Sequence, residues 1–281
     1  MMDENKMSAS MKEELRRVRV NIDERLGYSA LLTHDANQDI SSVPMFDPNE
    51  LHLGPLLGEG GFCAVSEIKA IKLKKGNTMT HDINNASLMS NKMRPSGFET
   101  IMTSPCSDLD INNSDEPPSE YEVAQSSRVE MSLFALRNGE ARYAIKRIKD
   151  DVADFEFGNN DKELFSSAFE RMKHAQKRDL FISATLDLAV EARYLAALSH
   201  PNLIKMRGVA SCDPFSGNYF LVLDRLYGTL DDKISEWKTR IKSSGFGCIG
   251  KNKEGIKDIW LERLNASYGL AAALKHLHSH K

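Results

Sequence analysis

Three short stretches of this chain carry residue types able to act together on one anionic group. In Gly58-Glu59-Gly60-Gly61-Phe62-Cys63-Ala64-Val65 the chain must double back on itself. With no side chains at Gly58 and Gly60, backbone N–H groups can point at a closely approaching phosphate. Lys146 lies in Ala141-Arg142-Tyr143-Ala144-Ile145-Lys146-Arg147-Ile148, and Glu191 lies among apolar neighbours in Leu188-Ala189-Val190-Glu191-Ala192-Arg193-Tyr194-Leu195. Taken singly, each has an ordinary explanation: a glycine hairpin, a solvated lysine at a strand edge, a solvent-facing helical glutamate. Their order along the chain is more specific, because a glycine loop, a lysine strand and a glutamate helix constrain one another.

The surrounding pattern predicts the elements that must hold these residues. Leu53, Leu56 and Leu57 lead into the glycine turn, and residues 64–71 alternate apolar and polar as a half-buried strand does. Residues 76–128 are crowded with Asn, Ser, Thr, Asp, Pro and Met without a sustained period, which predicts a disordered insertion. A return strand is expected over 129–136, with Asn138-Gly139 as a hairpin turn before the lysine strand. Helical spacing then runs over 161–198, with Leu164, Phe165, Ala168, Phe169 and Met172 followed by Leu186, Val190, Tyr194 and Leu198, and a break is expected within 181–185. His200-Pro201-Asn202 ends that helix, since proline disfavours helical geometry in the residue before it. Strands are expected over 203–209 and 219–223, then helices over 230–242 and 260–278, with Thr229 as N-cap and Asp231 and Asp232 in the first turn.

This arrangement resembles the ATP-gripping half of a eukaryotic-type protein kinase. The resemblance runs from 51 to 281, the insertion apart, and it implies an α+β fold: a five-stranded antiparallel sheet with a regulatory helix, then the helices of an incomplete carboxy-terminal lobe. The corresponding division is 1–50, a loosely ordered leader; 51–223, the amino-terminal lobe; and 224–281, a hinge and truncated helical lobe. Implied roles follow residue by residue. Ala144-Ile145-Lys146 matches the family's lysine strand, where the lysine holds the α- and β-phosphates and the alanine leaves room for adenine. Glu191 would pair with Lys146, with Glu170 as the rival, and both Lys146 and Glu191 are the implied catalytic residues. Leu57, Gly58, Gly60 and Val65 would cover the nucleotide, and Leu223 would be the gatekeeper beside the hinge backbone of Asp224 to Leu226. Cys63 departs from the pattern by standing where the family has its third glycine.

The implied reaction is transfer of the ATP γ-phosphoryl group to a protein hydroxyl, Ser/Thr by family base rate, with ATP and Mg2+ as cofactors. Leu270-Ala271-Ala272-Ala273-Leu274-Lys275-His276-Leu277-His278-Ser279 resembles the helix preceding the catalytic loop, and the sequence contains no Asp-Phe-Gly or Ala-Pro-Glu. The chain by itself is therefore expected to lack the catalytic base and the magnesium ligands, and to be inactive. The alternative is a non-catalytic nucleotide-binding or interaction module of the pseudokinase kind; a third is a helical scaffold in which the motif order is chance. Lys177-Arg178-Asp179-Leu180 imitates a catalytic loop, but it precedes Glu191 and has Phe181 and Ala184 where the family has Lys and Asn. His276, His278 and His280 offer only two residues on one helix face, short of a metal site.

Composition sets the outer limits. The chain has 281 residues, 41% hydrophobic and 27% charged, with a net charge of -3, which suits a globular protein and disfavours nucleic acid or anionic membrane as partner. No signal-peptide layout or apolar run long enough to span a bilayer occurs, so a cytoplasmic or nuclear location is expected. Cys63, Cys106, Cys212 and Cys248 have no paired spacing and are expected to be reduced thiols.

Overall fold

The computed structural model describes residues 43–74, 119–153, 168–245 and 253–279, together with positions 13, 16, 17 and 20; the side chains at 168–171, 174, 243–245, 253 and 254 are excepted. The expectations for most of the leader, for 76–118, and for Leu164 and Phe165 lie outside these residues.

The fold is α+β, built on a mixed six-stranded sheet. Strand β1 spans Met45–Phe46, β2 Leu51–Glu59, β3 Cys63–Ile71, β6 Tyr143–Ile148, β7 Met206–Ala210 and β8 Phe220–Asp224, in the spatial order β1-β7-β8-β6-β3-β2. The expected sheet of five antiparallel strands is corrected by β1, which pairs in parallel with β7. Its sequence gives little warning, because the strand is two residues long and its partner is remote. Phe46 is fully buried against Gly208, where an added Cβ would stand 2.6 Å from the phenyl ring. The five other strands form a continuous antiparallel run. At its centre β8 reads Phe-Leu-Val-Leu-Asp, with the four apolar side chains buried, as a strand covered on both faces should be. Outermost, β2 is mostly exposed and its register against β3 is irregular.

A helix inside the expected insertion covers one sheet face. Helix α1 spans Glu120–Leu133, so 129–133 is helical where a return strand was expected. Ser119 and Glu122 form a reciprocal capping box, and Ala124, Arg128 and Met131 make a buried stripe at helical spacing. Met131 and Ala135 join Ile68, Tyr143 and Ile145 in the core. Glu50 and Arg128 fasten the helix: the carboxylate is 1% exposed, the guanidinium side chain 7%, and their two contacts are 2.5 and 2.6 Å. Glu50 also accepts from the N–H groups of Asp47 and Lys74. Burial opposes its ionisation, yet those donors and Arg128 outweigh it and hold its pKa below the ordinary range. After α1, Asn138 and Gly139 have φ of 54° and 83°, the positive angles of a tight hairpin turn, between strands β4 (Leu136–Arg137) and β5 (Glu140–Ala141).

The opposite face carries helix α3. A short helix α2, Asp150–Ala153, precedes it, and α3 spans Ala168–Ala197 without the break expected within 181–185. Within that stretch the Thr185 hydroxyl donates to the carbonyls of Phe181 at 3.1 Å and Ile182 at 2.9 Å, so it is satisfied inside the helix. Phe181, Ala184, Leu188 and Ala192 form the buried stripe. The chain leaves α3 just before His200-Pro201, as expected from the proline.

Two further helices follow among the described residues, α4 (Leu230–Gly245) and α5 (Lys253–Ser279). Thr229 caps α4, accepting from the Asp232 N–H while Asp232 accepts from Thr229. Glu262 of α5 takes hydrogen bonds from Trp237 and Arg240 of α4, each at 2.8 Å. No helix among the described residues is long and apolar enough to cross a membrane.

Candidate nucleotide site

Strand register gathers the residues singled out by sequence. Val65 is paired with Gly58 on β2 and with Lys146 on β6, and Lys146 is paired with Leu221 on β8. Ala144, two residues before Lys146, is paired with Leu223. Paired residues of antiparallel strands share a face, and alternate residues return to it. Val65, Ala144, Lys146 and Leu223 therefore line one side of the sheet.

Lys146 and Glu191 meet across 45 residues of sequence. Lys146 Nζ donates to Glu191 Oε2 at 2.5 Å, and the two side chains are 26% and 33% exposed. The pair joins the central lysine strand to α3 without being sealed from solvent, which leaves the ammonium able to reach a bound anion. The rival Glu170 is on α3, about six turns before Glu191 at about 3.6 residues per turn, and its side chain is outside the description.

The glycine loop connects β2 to β3. Gly60 N–H donates to the Cys63 carbonyl at 2.8 Å, and Lys149 N–H to the Phe62 carbonyl at 3.0 Å, closing the turn. Glu59 is tied to Lys149 at 3.3 Å. A Cβ at Gly58 or Gly61 would meet nothing within 4 Å, and at Gly60 only the Cys63 carbonyl at 3.7 Å. None of the three has a positive φ. Neither backbone strain nor internal packing requires glycine at these positions. The loop backbone is therefore open to a close approach from outside the protein.

Cys63, at the position of the departure, is buried, and burial pushes its pKa up, so its thiol stays protonated and a poor nucleophile. Leu57 is exposed at the loop's entrance, and Leu226 is exposed beyond β8. Asp224 turns its carboxylate to Arg207 through contacts of 2.7 and 2.9 Å, so its side chain is committed to that pair. Its N–H is itself spent on the Lys205 carbonyl.

Two features had no place in the sequence reading. Glu67, opposite Ala144, forms an ion pair with Arg225, and Gly54 leaves the space for it. The alternation of β3 puts Glu67 on the same face as Val65, a signal available in the sequence; its partner beyond β8 was not. The decoys fall elsewhere. Asp179 is 70% exposed beside Arg178 on α3. His276 stacks on His200 at 5.0 Å between ring centroids, and His280 lies outside the described residues.

The residues present suit an anionic, phosphate-bearing ligand: open backbone at the loop, one lysine held by a carboxylate, and apolar walls. Among the described residues no three His, Cys, Asp or Glu side chains converge to hold a metal ion. Compared with family models, with curated proteins and with solved structures, the chain matches none.

Proposed function

We propose that this chain is the ATP-gripping portion of a protein-kinase-like phosphotransferase whose acceptor is a protein hydroxyl, Ser/Thr rather than Tyr, acting in the cytoplasm or nucleus. The carrying observation is the Lys146–Glu191 pair on the strand and helix that the resemblance requires. Support comes from the open glycines at 58, 60 and 61 and from the register that places Val65, Ala144 and Leu223 around the lysine.

In this reading each group has a physical task. Backbone N–H groups of the loop lie over the phosphates, Lys146 supplies a point charge to them, and Glu191 fixes the ammonium against them. Leu57, Val65, Ala144 and Leu223 enclose the purine, and backbone between Asp224 and Leu226 meets its edge. Transfer also needs a group to orient the acceptor hydroxyl and ligands for the magnesium that accompanies ATP. These residues supply neither, so no step is assigned to them beyond gripping and orienting ATP.

The non-catalytic nucleotide-binding module remains the second reading, favoured by Asp179 being an exposed helix residue rather than a candidate base. Both readings require ATP to bind. Ligand that binds only the folded state raises stability by mass action, about 2.7 kcal/mol at one hundred times Kd. ATP is therefore expected to raise Tm by several degrees in a concentration-dependent way; a Tm indifferent to millimolar ATP and to its non-hydrolysable analogues would remove the reading.

A further inference from the structure

Glu67 and Arg225 form an enclosed ion pair that the gripping of phosphate does not use. The two charged groups are 3.1 Å apart, with side chains 13% and 20% exposed. Glu67 projects from the slot face of β3, directly opposite Ala144. Arg225 is the middle residue of the segment 224–226, whose backbone is assigned to the purine edge. That segment is anchored behind as well: Arg225 N–H donates to the Arg142 carbonyl at 2.8 Å. The Arg225 guanidinium lies 5.0 Å from the centre of the Tyr227 ring, and the Tyr227 hydroxyl donates to the Ala141 carbonyl at 3.0 Å. Gly54 on β2 completes the arrangement, because a Cβ there would come within 2.3 Å of Glu67 Cγ.

An ion pair removed from water gains little net stability over an apolar pair, since desolvation offsets the Coulomb attraction. Its larger effect is geometric. Here it ties the β2–β3 hairpin, which carries Leu57 and Val65, to the segment that meets the base edge. Those are two walls of one slot. Adenine presents an amino donor beside a ring-nitrogen acceptor, whereas guanine presents a carbonyl acceptor beside a ring N–H. Backbone groups can tell them apart only if their directions are fixed before the ligand arrives, since ordering them on binding costs affinity.

We propose that Glu67 and Arg225 are a positioning pair that fixes segment 224–226 beneath the β2–β3 hairpin and thereby sets the preference for adenine over guanine nucleotides. This rests on the nucleotide-site reading. The test is calorimetric titration of the full chain with ATP and with GTP, for the unchanged protein, Lys146→Met, Glu67→Gln, Arg225→Gln, Gly54→Ala and the exchanged double variant Glu67→Arg with Arg225→Glu. A coupling of ordinary size corresponds to about 5- to 150-fold in affinity. Each of the Glu67, Arg225 and Gly54 variants is expected to lose ATP affinity in that range and to lose most of the ATP-over-GTP ratio, and the exchanged double to regain both. If the single variants unfold, the exchanged double decides: folded and selective supports the pair, folded and unselective overturns it. Single variants with a lowered Tm but an unchanged ATP-over-GTP ratio would show a merely structural contact and overturn the proposal alone. An unchanged protein that binds neither nucleotide overturns the site reading, and the pair's role with it.

Discussion

The sheet with α1 and α3 and the helical pair α4–α5 hold together by different physics. The sheet buries Ile68, Leu221 and Val222 fully, and the Glu50–Arg128 ion pair, nearly sealed from solvent, fixes α1 against it. In the helical pair the buried apolar side chains are Trp237, Ile259 and Ala273 among the described residues, while Trp260, Leu261, Leu264, Tyr268, Leu270 and Leu274 are exposed. Glu262 joins α4 to α5 through Trp237 and Arg240 at the surface. Burial of apolar area dominates folding free energy, so stability is concentrated in the sheet. The candidate site follows the same division. Its lysine and glutamate stand on the well-packed elements, and its base edge stands where packing gives way to the helices.

The contrast should be easiest to break at Arg128. Arg128→Ala leaves Glu50 charged and enclosed, and a loss of about 3–5 kcal/mol is expected in urea unfolding. The double change Arg128→Met with Glu50→Leu should recover part of it, because two apolar groups need no partner, while the Asp47 and Lys74 N–H groups lose their acceptor. A next effect separates the regions directly. Leu221→Ala should cost about 2–5 kcal/mol by leaving a cavity, whereas Leu264→Ala on α5 should stay within about 0.5 kcal/mol. Equal losses at the two leucines would mean that α5 is packed as the sheet is.

Acid should sharpen the comparison. The Glu50 pKa is lowered in the folded protein, so its stabilisation is complete above the ordinary value of 4.5 and is lost as pH falls through the lowered one. Glu262 behaves alike, pushed down to about 2 by its hydrogen bonds from Trp237 and Arg240. Their salt dependence should differ, since exposed charges are screened and buried ones are not. Added salt is expected to weaken the α4–α5 contribution while leaving the acid limb due to Glu50 in place, which the Arg128→Met/Glu50→Leu protein should lack.

What the sequence disclosed follows the range of the interactions involved. Strands β2, β3, β6, β7 and β8 announce themselves by alternation or apolar runs, and Asn138-Gly139 by its turn chemistry. Lys146 and Glu191 were legible through chain order, which stands in for a contact that no local pattern encodes. Helix α1 was overlooked because its surroundings are polar, although Ser119-Glu120-Tyr121-Glu122 is a capping-box signature. Strand β1 and the Glu67–Arg225 pair depend on remote partners, Val209 and Ala210 for the one and the end of β8 for the other.

The central claim is that Lys146, held by Glu191, grips the phosphates of a nucleotide whose base lies between Val65, Ala144 and Leu223. The most direct measurement is calorimetric titration of ATP and of adenosine into the unchanged chain and into Lys146→Met. The unchanged chain is expected to bind ATP more tightly than adenosine, and Lys146→Met to bring ATP down toward the adenosine affinity while leaving adenosine unchanged. Equal affinity of the unchanged chain for the two ligands, or a Lys146→Met protein that still prefers ATP by the same factor, would contradict it.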